Sequence, residues 1–400
     1  MDGDPREPAH ASAPPRDARR KALSPRRATA GMFFAFGVGL GAWSGASATI
    51  VARLGLSPAT YGAALTLFTA AYLAAMSSGG AFARRFTAKR ALIVAAVASA
   101  PALAALLLVD DLVGYFALQT VYGFLAGLVD LTMNAAGARI ERSLGRPVLA
   151  GMHGAASAGV ALAAAAAGVI AAGGAPWISC LAVLAALWGA SVAVAVAVPA
   201  DRGETVGAVA VGRRVFASRA LATLGLVIGA CIACESAAMA WSGLVLRREA
   251  PELAAFAGLG ASFFAGCQAV QRFNVDRLRA RIADRWLIVG SLAVASLGFL
   301  LVATKPGFAL SVAGFSVIGF GTGAVVPCGF ALAARQPGAT AAAGLSAAAF
   351  FGAFARLPAP LIAGAVADAL SLSAAFALFA LLLIAALAAT LRFVAARPAL

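Results

Sequence analysis

Four ionisable side chains lie inside long apolar stretches: Asp130, His153, Glu235 and Arg356. A charge near the centre of a bilayer costs about 2.5–3.5 kcal/mol on insertion scales, so such groups are functional candidates by default. Asp130 and Asn134 are four apart and share one helix face. They supply a titratable carboxylate and an amide that both donates and accepts. His153 opens the next apolar stretch at a similar depth, within reach of Asp130 or Asn134 across a hairpin. Two readings of this trio stand side by side: a proton relay or substrate clamp, or a hydrogen-bonded brace between two helices. Glu235 lies mid-stretch, followed by Ser236 and Trp241. A carboxylate balanced between burial and a nearby cation can take and release a proton. Arg356 is the expected counter-charge, placed just before Pro358 and Pro360, which should interrupt the helix ladder. The pair reads as a proton-coupling device or as a static brace. Arg356 alone also suits an anionic solute.

Those residues need elements to hold them at depth. The chain has 400 residues, 62% hydrophobic and only 12% charged. A soluble domain carries about 25% charged residues to face water, so lipid must be the solvent here. Twelve apolar runs follow one another: 28–51, 59–82, 89–109, 112–138, 148–172 and 175–198, then 220–246, 252–271, 286–303, 307–334, 338–366 and 371–391. Each is close to the ~20 residues of a spanning helix. They are too long for barrel strands, and helices are the other structure that satisfies its own backbone in lipid. An all-α integral membrane protein is expected, with a disordered cytoplasmic tail over 1–27, six helices over 28–198, a polar cytoplasmic linker over 199–218, six helices over 219–395 and a short tail over 396–400.

Charge placement orients the helices. With the N-terminus in the cytoplasm, the opposite loops hold only Arg53, Arg247, Arg248 and Lys305 of the 31 Lys and Arg, and Arg356 lies within a helix. That asymmetry is the positive-inside pattern. The net charge of +15 is therefore an orientation signal, and nucleic acid is not an expected partner. Apart from Lys89 and Arg90 at the cytoplasmic start of the third run, helices 3, 6, 9 and 12 carry no ionisable group in their apolar runs and read as the lipid-facing set. Cys180, Cys231, Cys234, Cys267 and Cys328 all fall in apolar segments and read as small hydrophobes. The Cys231–Cys234 CxxC has no second cluster for a metal. No cofactor or metal is expected.

An internal repeat divides the chain. An offset of 196 positions superposes Gly62 on Gly258, Phe68 on Phe264, Arg85 on Arg281, Gly123-Phe124 on Gly319-Phe320, Gly127 on Gly323 and Arg139 on Arg335. Each pair keeps the same topological place, as in two six-helix halves related by an axis along the membrane normal. Gly37, Gly41 and Gly45 form a run in helix 1 that allows close helix approach.

The loop after helix 2 reads Gly80-Ala-Phe-Ala-Arg84-Arg85-Phe-Thr-Ala-Lys89-Arg90. It resembles the major facilitator signature G-x-x-x-D-R-x-G-R-K, with Arg84 where the signature has Asp and Thr87 where it has Gly. The matching loop after helix 8 holds Arg272, Asp276, Arg277 and Arg281, with Ala280 at the Asp position. The resemblance implies that these loops gate the cytoplasmic side through charge pairs, with Asp276 and Asp284 standing in for the missing acids. From 28 to 395 the chain is similar to major facilitator transporters. Asn134 with Glu141-Arg142, Met152-His153-Gly154, and Glu235 with Trp241 resemble the bacterial YbjJ-type subgroup.

The resemblance implies a secondary transporter of a small solute, working by alternating access in the bacterial cytoplasmic membrane as a monomer, with protons as the expected coupling ion. No G-x-x-x-x-G-K-[ST] supplies ATP energy, and no HExxH or nucleophile–base pair suggests an enzyme. Efflux by antiport and uptake by symport use the same parts. The alternative is a non-transporting sensor or scaffold that reuses the fold.

Overall fold

The computed structural model describes residues 24–85, 87–199, 215 and 217–395, with backbone alone at 79–85. The expected tail over 1–23, the linker over 200–214 and the tail over 396–400 lie outside the described residues. So do the side chains of Gly80, Arg84 and Arg85.

Among the described residues twelve long helices follow in order, and there is no strand. They are α1 (Pro25–Arg53), α2 (Pro58–Arg85), α3 (Ala88–Leu108), α4 (Leu112–Leu144), α5 (Leu149–Ala172), α6 (Pro176–Ala197), α7 (Arg219–Glu249), α8 (Leu259–Arg279), α9 (Asp284–Ala303), α10 (Phe308–Ala334), α11 (Ala341–Ala369) and α12 (Leu372–Ala395). Starts follow local chemistry: Ser24, Thr87, Asp111, Ser218 and Thr340 each accept a hydrogen bond from a first-turn N–H. Ser24 places the first helix start at Pro25, inside the segment expected to be disordered.

Eleven of these helices are long and apolar enough to cross a bilayer. The twelfth, α8, is not, because its second half carries Gln268, Gln271, Arg272, Asn274, Asp276, Arg277 and Arg279. The expected span 252–271 is corrected accordingly. Pro251–Phe256 is a short 3-10 turn, and the helix runs on to Arg279. Its polar half is tolerated because it is covered by protein, packing on α5, α7 and α10. Two helices are broken. In α11, Leu357 and Pro358 separate Ala341–Arg356 from Ala359–Ala369, as the prolines predict. In α10 the break falls at Gly323 and Ala324, just ahead of Pro327, whose missing N–H leaves the Gly323 carbonyl without its helical donor.

The repeat is physical. The packing pairs α1–α5, α2–α4, α3–α6 and α3–α4 recur as α7–α11, α8–α10, α9–α12 and α9–α10. The equivalences reach single residues. Gly123 lies against the backbone of Phe68, and Gly319 against that of Phe264. Across the halves, Gly62 meets Pro360 and Gly364, while Gly258 meets Ala164 and Gly168. All of these pairs are related by the same offset. At both crossings an added Cβ would collide with backbone, so the two halves touch only because side chains are absent there.

Among the described residues, the C-terminal ends of odd-numbered helices lie at one end of the molecule and those of even-numbered helices at the other. The halves are sealed at the odd-loop end. Tyr61 donates to the Ala240 carbonyl at 2.9 Å, and Ser44 donates to that of Met239. Arg247 donates to the Ala48 carbonyl at 3.0 Å. Towards the even-loop end α5 and α8 stay together, whereas α2 packs on Ala359–Ala369 of α11 and, among the described residues, meets Ala341–Arg356 where Tyr72 lies under Arg356. Large apolar side chains of the outer helices, among them Trp177, Val196, Leu297 and Leu381, stand exposed as a lipid-facing surface requires.

Candidate functional site

Two polar sets lie between the halves. The first centres on Asp130 in α4. Its carboxylate accepts from Tyr72 Oη of α2 at 2.6 Å and from Asn134 Nδ2 at 2.9 Å. Asn134 also gives an amide hydrogen to the Asp130 carbonyl at 2.8 Å. Its Oδ1 is left to accept, and it lies 2.9 Å from Nε2 of His153 in α5. That geometry assigns the proton to Nε2. The His153 ring also meets the Phe33 ring edge-on at 5.0 Å. Arg356, at the α11 break, holds its guanidinium 5.3 Å from the centre of the Tyr72 ring. The trio expected from sequence is thus assembled, with His153 on Asn134 rather than on Asp130.

The second set centres on Glu235 in α7. Its partner is Arg272 of α8, at 3.2 Å, with side chains 13% and 15% exposed respectively. This corrects two expectations. Arg356 is not the counter-charge of Glu235, and Arg272 is not a loop residue. It lies within α8, one turn beyond Gln268 on the same face. Arg272 also donates to Ser157 of α5 at 3.0 Å. Ser157 in turn donates to Gln268 at 3.0 Å, and Gln268 donates to Thr322 of α10 at 3.2 Å. The Cys231 thiol points at Glu235 from 3.8 Å, so the CxxC contributes a weak donor to this set.

The two sets meet on α5. His153 and Ser157 are four apart and face the same way. One continuous layer therefore runs from Arg356 through Tyr72, Asp130, Asn134 and His153, and by way of Ser157 to Arg272 and Glu235. Each half contributes one carboxylate, and the two arginines both come from the second half. Beside the layer stands an aromatic wall. Trp43 stacks on Phe68 at 6.3 Å, and Phe68 neighbours both Tyr72 and Tyr122. The Trp43 indole N–H is buried with no hydrogen-bond acceptor among the described residues.

Trp241 belongs elsewhere. It is buried at the sealed end, edge-on to Tyr61 at 4.9 Å. The remaining candidates lie at the even-loop end. Asp276 pairs with Arg279 at 3.8 Å, Arg277 bonds to Asn274 at 3.0 Å, and both sit in the last turn of α8. Arg281 follows in the loop, exposed, and Arg90 is exposed in the first turn of α3. The acidic residue that gathers cations there is Asp284, bound by Arg279 at 2.7 Å and also by Arg335. Glu141 caps the start of α5 by accepting from the N–H groups of Val148 and Leu149 at 2.8 and 2.9 Å.

Sequence reading missed Tyr72, Gln268 and Ser157. A signal existed for the first two: they stand 196 positions apart, the repeat offset, at the same place in α2 and α8. Ser157 carried a weaker one, its i+4 spacing from His153.

Twelve helices in two repeated halves, with polar residues between them, define a polytopic membrane protein of transporter architecture. The chain belongs to the Major Facilitator Superfamily, whose sequence model matches residues 28–360. An uncharacterised MFS-type transporter of Yersinia pestis is 24% identical over 361 residues, covering 88% of this chain and 91% of that one. Membrane protein MosC of Rhizobium meliloti is 25% identical over 353 residues, covering 87% and 85%. Among solved structures, a point mutant of the nucleoside transporter NupG superposes with a TM-score of 0.72 at 14% identity, covering 92% of this chain and 99% of that one. A bacterial homologue of the human lysosomal transporter Spinster, inward-facing and occupied, gives 0.67 at 12% identity, covering 96% and 98%. The family match establishes membrane transport, and the structural likenesses establish the fold.

Proposed function

We propose that this protein is a proton-coupled secondary transporter that moves a small solute by alternating access, with Glu235 and Asp130 as the groups that carry the proton. The observation that supports this best is the continuous polar layer. Its two carboxylates sit in opposite halves, and the hydrogen bonds that Ser157 accepts from Arg272 and donates to Gln268 cross between them. A rocking motion of the halves must break those bonds. Protonating Glu235 removes the counter-charge of Arg272 and leaves that guanidinium free for Asp130, for Ser157 or for an anionic solute. Deprotonation restores the pair and recloses the layer. Arg356 and the Trp43–Phe68–Tyr72 wall flank the solute's path.

The seal at the odd-loop end and the parted α2–α11 seam support an inward-facing state, if Lys and Arg placement sets the even-loop end in the cytoplasm. Both termini are then cytoplasmic, in a bacterial inner membrane, and the protein acts as a monomer. The residues shared with the YbjJ-type subgroup support membership of that branch of the family.

The test is cysteine accessibility at position 235, in a background freed of the five native cysteines. A carrier lets a membrane-impermeant thiol reagent reach this position from the even-loop side at rest and from the other side during turnover. Inaccessibility from both sides would support a non-transporting sensor or scaffold instead. In vesicles, Glu235→Gln should abolish uphill accumulation driven by a proton gradient and spare solute exchange. Unchanged uphill accumulation removes Glu235 from the coupling step.

A further inference from the structure

One cation outside the central layer holds guanidinium nitrogens buried without a partner among the described residues. Arg285, in the first turn of α9, buries Nε and Nη1 with no hydrogen bond to either. The adjacent carboxylate does not serve it, because Asp284 is taken by Arg279 and Arg335. A charged group with buried, unpartnered nitrogens is costly; Nη2 is not among the buried atoms and is the donor of this guanidinium that a group from outside the chain can reach. It opens onto a cavity of about 410 Å³ lined by Arg285, Trp286, Leu391, Val394 and Ala395.

The surroundings define the ligand. The cavity lies between the start of α9 and the end of α12, two outer helices that pack on each other and show Leu297 and Leu381 to lipid. Trp286 is 50% exposed at its edge, where an indole sits at the headgroup level of a bilayer. Leu391, 43% exposed, and Val394 supply an apolar floor on the membrane side. Arg392, exposed and next to Leu391, adds a second positive charge at the same helix end. Guanidinium donors above, an interfacial indole beside and apolar side chains below match a lipid phosphate with its first acyl carbons.

We propose that this cavity binds the phosphodiester headgroup of an anionic phospholipid, with Arg285 as its anchor. The site needs only that the chain spans a bilayer, and it stands whether or not the transport reading does.

The experiment is native mass spectrometry of the full chain in detergent with added phosphatidylglycerol or phosphatidylcholine of matched acyl chains. Wild-type protein should retain phosphatidylglycerol in preference to phosphatidylcholine. Arg285→Gln should weaken that retention about fivefold, the loss of one basic group near a membrane surface. Arg248→Gln, the same charge change at the opposite end, should leave it unchanged. Equal phosphatidylglycerol retention by wild type and R285Q overturns the proposal. So does displacement of the lipid by inorganic phosphate or glycerol 3-phosphate at matched phosphate concentration, which would make this a free-phosphate site. Leu391→Trp fills the cavity without touching a charge and should also lower retention. If R285Q does not fold, undiminished retention by L391W overturns the proposal by itself.

Discussion

The seams α5–α8 and α2–α11 are copies of one another, yet they do different things. At the odd-loop end they are the same joint, with Gly168 and Gly258 in one and Gly364 and Gly62 in the other. Towards the even-loop end they diverge. The α5–α8 seam continues through Ser157, Gln268 and Arg272, and beyond them Gly154 lies against the Phe273 ring. The α2–α11 seam parts, and the contact of Arg356 with the Tyr72 ring lies where it opens. Backbone approach at small residues is therefore what the repeat preserves. Ser157 and Arg272, whose counterparts in the repeat are Ala353 and Met76, decide which seam is laced and which is free to open.

The largest test of this contrast is charge removal. Arg272→Ala strands Glu235 in the laced seam and should cost about 3–5 kcal/mol, read as a fall in thermal stability in detergent. The double variant with Glu235→Ala should recover most of that loss. An unchanged stability in the single variant would mean that this pair does not lace the seam. Next come the shared joints. Gly62→Val and Gly258→Val each drive a side chain into facing backbone and should cost about 1–3 kcal/mol. The two losses should match, and a clear inequality would break the equivalence of the joints. Smallest is the open seam. Arg356→Ala gives up one cation–π contact, about 0.5–2 kcal/mol, and so should be milder than Arg272→Ala. If it is the more destabilising of the two, the assignment of laced and open seams is inverted.

Much of the site was legible from residue type. Asp130, Asn134, His153, Glu235 and Arg356 all drew notice because an ionisable or amide group in lipid demands a reason, and all five lie in the central layer. Their pairing was not legible. Arg356 and Glu235 sit at comparable depths, and depth is all that a linear apolar pattern reports. Arg272 was misplaced for a related reason. An apolar run ends where polarity begins, but α8 continues for two turns past that point because protein, not lipid, covers its polar face. Trp241 is the converse case: near Glu235 in sequence, it is a turn and a half away along the helix and packs at the seal instead.

The sequence by itself determined the helix content, the number of long helices and the offset that relates their packing. Apolar length and the repeat offset are one-dimensional properties, and lipid allows little choice of backbone. It also marked the α11 break with proline, at Pro358. Only the tertiary structure decided which arginine answers which carboxylate, because a salt bridge depends on the rotation of each helix about its axis. Only it decided that Asp284 gathers the cations at the even-loop end and that Arg285, beside it, is left facing a cavity. Those rotations are set by where glycines let backbones touch, and the consequences fall on side chains many residues away.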